Sequence, residues 1–205
     1  MDLKQFRRVQ ARAFAPLLLF AASHVPVSAQ TPKTAITASF TATTAALSAG
    51  SGVALKIDVL RWSTDEEAAK LVATFKDKGD KAWTEALQAA PSVGYVWAGT
   101  SSLGYFVKSA RRVATPDGGA RIILAVDRPL GSWDRPAWKA AANATDYAFT
   151  VIELRVNKAG VGEGKASLAG KVAIDDGAKA IAIESYATDP VTVKGVKRTD
   201  AASAP

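Results

Sequence analysis

LGYFVKSARRVATPDGGARIILAVD, residues 103–127, reads as two strands joined by a tight turn. Leu103, Tyr105 and Val107 alternate with Gly104 and Lys108, the two-residue period of a strand with one wet face. Asp117-Gly118-Gly119 is a hairpin signal, because glycine accepts the positive φ such turns need. Ala120 to Asp127 then forms an almost continuous apolar strand. So short a connection makes the two strands antiparallel.

The pattern repeats in both directions. Upstream, Val93, Tyr95 and Trp97 alternate with smaller residues, Val53, Leu55, Ile57 and Val59 alternate with Lys56 and Asp58, and Ile36, Ala38, Phe40 and Ala42 suit a short edge strand. Downstream, a strand runs from Tyr147 to Val156, and Gly160 to Gly164 reads as a turn. Ala166 to Ile174 is the next strand, and Asp175-Asp176-Gly177 turns into Ala180 to Ser185. Thr188-Asp189-Pro190 turns again into Val191 to Val196. One interruption is helical. Ser63 and Thr64 each have a glutamate three positions on, the capping-box spacing, and Ala68, Leu71, Val72 and Phe75 share a helical face. Gly79 ends that helix, Trp83, Leu87 and Ala90 stripe a second, and Pro91 stops it. The expected fold is mainly β (α+β): an antiparallel sandwich or barrel-like sheet of eight or nine strands with an inserted helical hairpin. Trp62 and Trp83 are expected to pack that hairpin on the sheet.

The N-terminus has a different grammar. Lys4, Arg7, Arg8 and Arg12 precede an apolar run from Ala13 to Ala22, and Val27-Ser28-Ala29 offers a small-residue exit. These are the parts of a cleavable secretory signal, and a run of about ten residues is half what a membrane span needs. Residues 1–29 are therefore expected to be removed, leaving one β-rich domain over 30–198 and a loose tail over 199–205, in a periplasmic or secreted protein. Loss of Lys4, Arg7, Arg8, Arg12 and Asp2 lowers the net charge from +7 to +4.

The chain has no cysteine, and its one histidine, His24, lies in the signal. The mature domain then lacks the residues for Ser-His-Asp or Cys-His catalysis, ordinary zinc sites and histidine or thiolate haem ligation. No cofactor or metal is expected, although oxygen-ligated calcium or magnesium stays open. Lys and Arg are scattered rather than gathered with aromatic platforms, so nucleic acid is not the expected partner. Arg111-Arg112, the only central basic pair, reads as the solvated end of a strand rather than a phosphate site.

The segments Trp62-Ser-Thr-Asp-Glu-Glu67, Asp146-Tyr-Ala-Phe-Thr-Val-Ile-Glu-Leu154, Gly160-Val-Gly-Glu-Gly-Lys165 and Glu184-Ser-Tyr-Ala-Thr-Asp-Pro-Val191 together resemble a family of short exported bacterial proteins of unassigned function. The resemblance implies export and a single domain, and it implies no activity.

The densest chemistry follows strand 120–127. Arg128, Trp133, Asp134, Arg135 and Trp138 form a candidate ligand-binding loop stiffened by Pro129 and Pro136, suited to a glycan, an aromatic or an anion. The simpler reading has both tryptophans folded back as a lid. Tyr95 and Trp97 could line a pocket, with core packing the simpler reading. Glu153 is expected to face water beside Arg155, and Glu163 to sit in a turn. Asp58, Asp127, Glu153 and Glu184 are candidates for a glycan-cleaving carboxylate pair if two converge. The leading expectation is a non-catalytic extracytoplasmic binding or interaction protein for a small ligand, a glycan or an envelope protein. The alternatives are a carboxylate-dependent glycan hydrolase and a structural envelope component.

Overall fold

The computed structural model describes residues 35–45, 52–130, 148–167, 172–184 and 191–199. The expected signal over 1–29 and the tail beyond Thr199 lie outside the described residues. Along the chain run β1 (Ala38–Thr44), β2 (Ala54–Val59), the helix α1 (Asp65–Ala89), β3 (Gly94–Ala98), β4 (Tyr105–Ala114), β5 (Ala120–Val126) and β6 (Thr150–Val156). After them come β7 (Val161–Ala166), β8 (Val172–Asp175), β9 (Ala180–Ile183) and β10 (Val191–Thr199).

The first seven strands and β10 form a closed antiparallel barrel: β1 to β7 pair in chain order and β10 closes the gap between β7 and β1, while β8 and β9 make a separate two-stranded sheet. Closure removes the open edges that threaten a β protein. It also corrects the edge-strand reading of residues 36–42, since β1 is hydrogen-bonded to β2 on one side and β10 on the other. Thr199, expected in a loose tail, pairs with Ser39. The turn expected over Gly160–Gly164 lies earlier, at Asn157–Gly160, and Gly162, Glu163 and Gly164 belong to β7.

Two apolar clusters sit on opposite sides of the barrel wall. The inner one fills the lumen with Phe40, Leu55, Ile57, Val96, Tyr105, Ile122, Leu124, Ile152 and Leu154 among others. An eight-stranded barrel is just wide enough for side chains to fill it. The outer cluster joins the outward residues Ile123, Ala125 and Val151 to α1 and the β8–β9 hairpin through Leu71, Trp83, Leu87, Phe149 and Ile181.

The capping box forms on Thr64. Its hydroxyl accepts from the Glu67 amide at 3.2 Å, while the Glu67 carboxylate accepts from the Thr64 amide at 2.9 Å. Ser63, the other candidate, accepts instead from the Ala110 amide on β4. The two expected helices are the two halves of α1, joined across a kink at Gly79, which leaves helical geometry with φ 77°. Both halves reach the outer cluster, and the Phe75 and Trp83 rings meet edge-on at 5.9 Å. Trp62 departs from expectation, packing against the inner cluster rather than holding the helix.

Hydrogen bonds from Arg61 and from the Thr64 amide pull Glu67 from an ordinary 4.5 down to about 2. A depressed carboxylate stabilises the fold above its unfolded pKa and loses that contribution as pH falls through the folded one. Urea midpoints should therefore decline between pH ~4.5 and ~2, and Glu67→Gln should flatten that decline; the effect is modest because both partners are solvent-screened. Thr64→Ala should cost about 1 kcal/mol in urea unfolding at neutral pH.

Candidate functional site

The site forms where the barrel opens. Inward-facing side chains alternate along each strand, so the last inward residue of a strand lines the mouth. On β10 that residue is Arg198, directly opposite Phe40 of β1. On β4, Arg112 shares the inward face with Ala110 and lies opposite Ile122, two positions before the strand's end. The strand order places β4 and β10 across the barrel from each other. Arg112 and Arg198 thus line one cleft from opposite walls, with Phe40, Trp62 and Ile122 also at its edge.

A β-bulge decides which arginine faces in. Between Val107 and Ser109 the register of β4 slips against β5, so Ser109 faces out opposite Ala125 and Ala110 faces in opposite Leu124. Unbroken alternation from Val107 would have placed Arg111 inside. Instead Arg111 points out and ties three elements together, donating to the Ser63 carbonyl (2.8 Å), the Asp65 carboxylate (2.7 Å) and the Ala178 carbonyl (3.1 Å). The pair read as a solvated strand end is therefore divided between a structural clip and the rim of a cleft.

The β6–β7 turn supplies the rest of the rim. The Asn157 side-chain oxygen accepts from the Ala159 and Val161 amides. Gly160 takes φ 75°, and a Cβ there would stand 2.8 Å from Cβ of Arg198. Its carbonyl accepts from the Arg198 amide at 2.8 Å, which fixes the strand end that carries the guanidinium. Lys158 adds a third cation, and the cleft encloses about 220 Å³. Among the described residues, no carboxylate lines it. Asp117, in the adjoining β4–β5 turn, is occupied by the Thr115 hydroxyl and the Gly119 amide. The Thr115 bond, and next the Gly119 bond, hold its carboxyl below the usual range. Among the described residues, Arg112, Lys158 and Arg198 have no ion-pair partner, while eight other pairs form elsewhere.

The other candidates fall elsewhere. Arg128 lies against Asp127, with its Nη2 3.2 Å from the carboxylate. Trp133, Asp134, Arg135 and Trp138 lie outside the described residues. Tyr95 and Trp97 are not core residues. They face outward beside Phe106, ring centroids 5.6 Å apart, with Lys56 Nζ 5.1 Å from the Trp97 ring centre. The small residues Gly94, Val96 and Ala98 take the inward face of β3.

Glu153 does not face water; its side chain is fully buried. Arg121 grips it through two hydrogen bonds of 2.7 and 2.9 Å, and Arg155 adds 2.9 and 3.1 Å. Arg121 also binds Asp175. Of the other proposed acids, Asp58 is bound by Ser39 and Lys56 and Asp127 by Arg128, whereas Glu184 is exposed. The carboxylates that do converge, Glu153 and Asp175, meet on a guanidinium. Burial alone would push the Asp175 carboxyl up, but the Arg121 and Ala178 hydrogen bonds outweigh it and leave it low. Glycoside cleavage instead needs an acid held protonated.

No helix among the described residues is long and apolar enough to cross a membrane. A scan of family models gives no match, and comparisons with curated proteins and with solved structures give none.

Proposed function

We propose that the chain is a non-catalytic binding protein, acting outside the cytoplasm, that takes the anionic end of a small amphipathic ligand at the barrel mouth. One observation carries this reading. Arg112 and Arg198 line the same cleft beside Phe40, Trp62 and Ile122, and no described carboxylate neutralises them. Elsewhere the fold commits arginines to acids, as with Arg121 on Glu153 and Arg61 on Glu67. Cations left unpaired beside apolar side chains fit a ligand that brings its own negative charge and a hydrocarbon segment. The cleft of about 220 Å³ is small for a binding pocket, which suits a head group and a short chain. The signal-like N-terminal segment supports the extracytoplasmic placement.

Calorimetric titration tests the reading. Hexanoate and hexyl phosphate should bind and hexanol should not. The Arg112→Ala, Arg198→Ala double variant should lose at least about tenfold in affinity, equivalent to ~1.4 kcal/mol. Equal binding of hexanol, or an unchanged double variant, would remove the mouth as the site.

A further inference from the structure

We infer that the mouth is built for a doubly charged phosphate monoester on an apolar chain, in preference to a carboxylate or a phosphodiester. This rests on the mouth-binding reading and names its ligand class. A carboxylate carries one charge and two acceptor oxygens, which a single bidentate arginine can satisfy. Here three cations on three separate elements line one cleft: Arg112 on β4, Arg198 on β10 and Lys158 in the β6–β7 turn. A phosphate monoester carries close to two negative charges at neutral pH and three terminal oxygens, so it can meet donors from several directions at once. A guanidinium fork matches a pair of those oxygens, and an ammonium serves as a point charge on a third. Phe40, Trp62 and Ile122 then receive the first carbons of the chain.

The charge of such a ligand is itself a readout. Its second pKa is ~6, so it passes from one to two negative charges between about pH 5 and 7. Asp117 in the β4–β5 turn is already ionised there, since its carboxyl lies below the ordinary value. No histidine is present among the described residues to titrate in the same window.

The experiment is calorimetric titration of the folded chain with hexyl phosphate, hexyl sulfonate and hexanoate at pH 5 and pH 7.5. Hexyl phosphate should bind about tenfold tighter than the other two at pH 7.5, and the advantage should fall to within about twofold at pH 5. Lys158→Gln should narrow the gap without abolishing binding, and Arg112→Gln with Arg198→Gln should abolish it. Three anions of equal affinity, flat with pH, would overturn the phosphate inference and leave the mouth reading standing. No binding of any anion, or full binding by the double variant, would overturn both. Co-sedimentation with vesicles containing phosphatidate separates the two sources of this chemistry. Sedimentation that depends on Arg112 and Arg198 identifies a lipid head group, and its absence beside firm hexyl phosphate binding identifies a free phosphoester.

Discussion

Replacing Arg121 with alanine should destabilise the protein by about 3–5 kcal/mol in urea unfolding. Glu153 has no exposed side-chain surface, and Arg121 supplies two of its shortest hydrogen bonds. Arg155, the other guanidinium on it, is half exposed. Removing Arg121 strands a buried carboxylate on the outer face of β6, beneath the β8–β9 hairpin, and releases Asp175, the acid that opens the β8–β9 turn. The loss is a large share of the ~5–15 kcal/mol that holds a domain of this kind together. The cost comes from the uncompensated charge, not from the worth of the pair, so Arg121→Leu combined with Glu153→Leu should recover most of it. A single variant within about 1 kcal/mol of the parent would show that Glu153 has water or another cation to turn to.

Trp83→Ala should cost about 3–5 kcal/mol by opening a large cavity in the outer cluster. The indole is 1% exposed and contacts Phe149 edge-on at 4.5 Å and Phe75 at 5.9 Å. It links both halves of α1 to the barrel wall, so the alanine variant should also lose near-UV circular dichroism at lower denaturant. Trp83→Phe should cost far less, below about 2 kcal/mol. The Trp83 Nε1 proton is buried with no acceptor among the described residues, and phenylalanine removes that burden along with some volume. Equal losses in the two variants would mean that the indole nitrogen has a partner.

These two sites show where sequence reading succeeded and where it stopped. Local signals carried far: the turn at Asp117-Gly118-Gly119, the capping box at Thr64 and Glu67, the break at Gly79 and the alternation in β2 are all in the structure. Each depends on residues within a few positions of one another. Closure of β1 onto β10 joins segments some 150 residues apart, and nothing in residues 36–42 distinguishes an edge strand from a closing one. Glu153 departs from expectation for a related reason. Its alternation with Ile152 and Leu154 correctly put it on the outer face, but that face is covered there by the β8–β9 hairpin. Core packing is the simpler expectation for Tyr95 and Trp97, because large apolar rings usually face inward. A lumen already holding Phe40 and Tyr105 leaves β3 room only for Gly94, Val96 and Ala98.

The mouth itself was the least legible. Arg112 becomes inward only through the bulge at Ser109, and a one-residue slip reverses every side chain after it. Arg198 and Lys158 lie 86 and 46 residues beyond Arg112, and Arg198 reaches it only through the barrel's closure. A weak signal was present in Asn157-Lys158-Ala159-Gly160, a turn whose side-chain oxygen and positive φ position the β10 end behind it.

A crystal structure of the chain grown with hexyl phosphate tests the account most directly. The phosphate should lie between Arg112 and Arg198, within hydrogen-bond distance of both guanidiniums, with its alkyl chain against Phe40 and Trp62. A ligand bound only at the outer Tyr95–Trp97 face or along the β8–β9 hairpin, with the mouth empty, would contradict it.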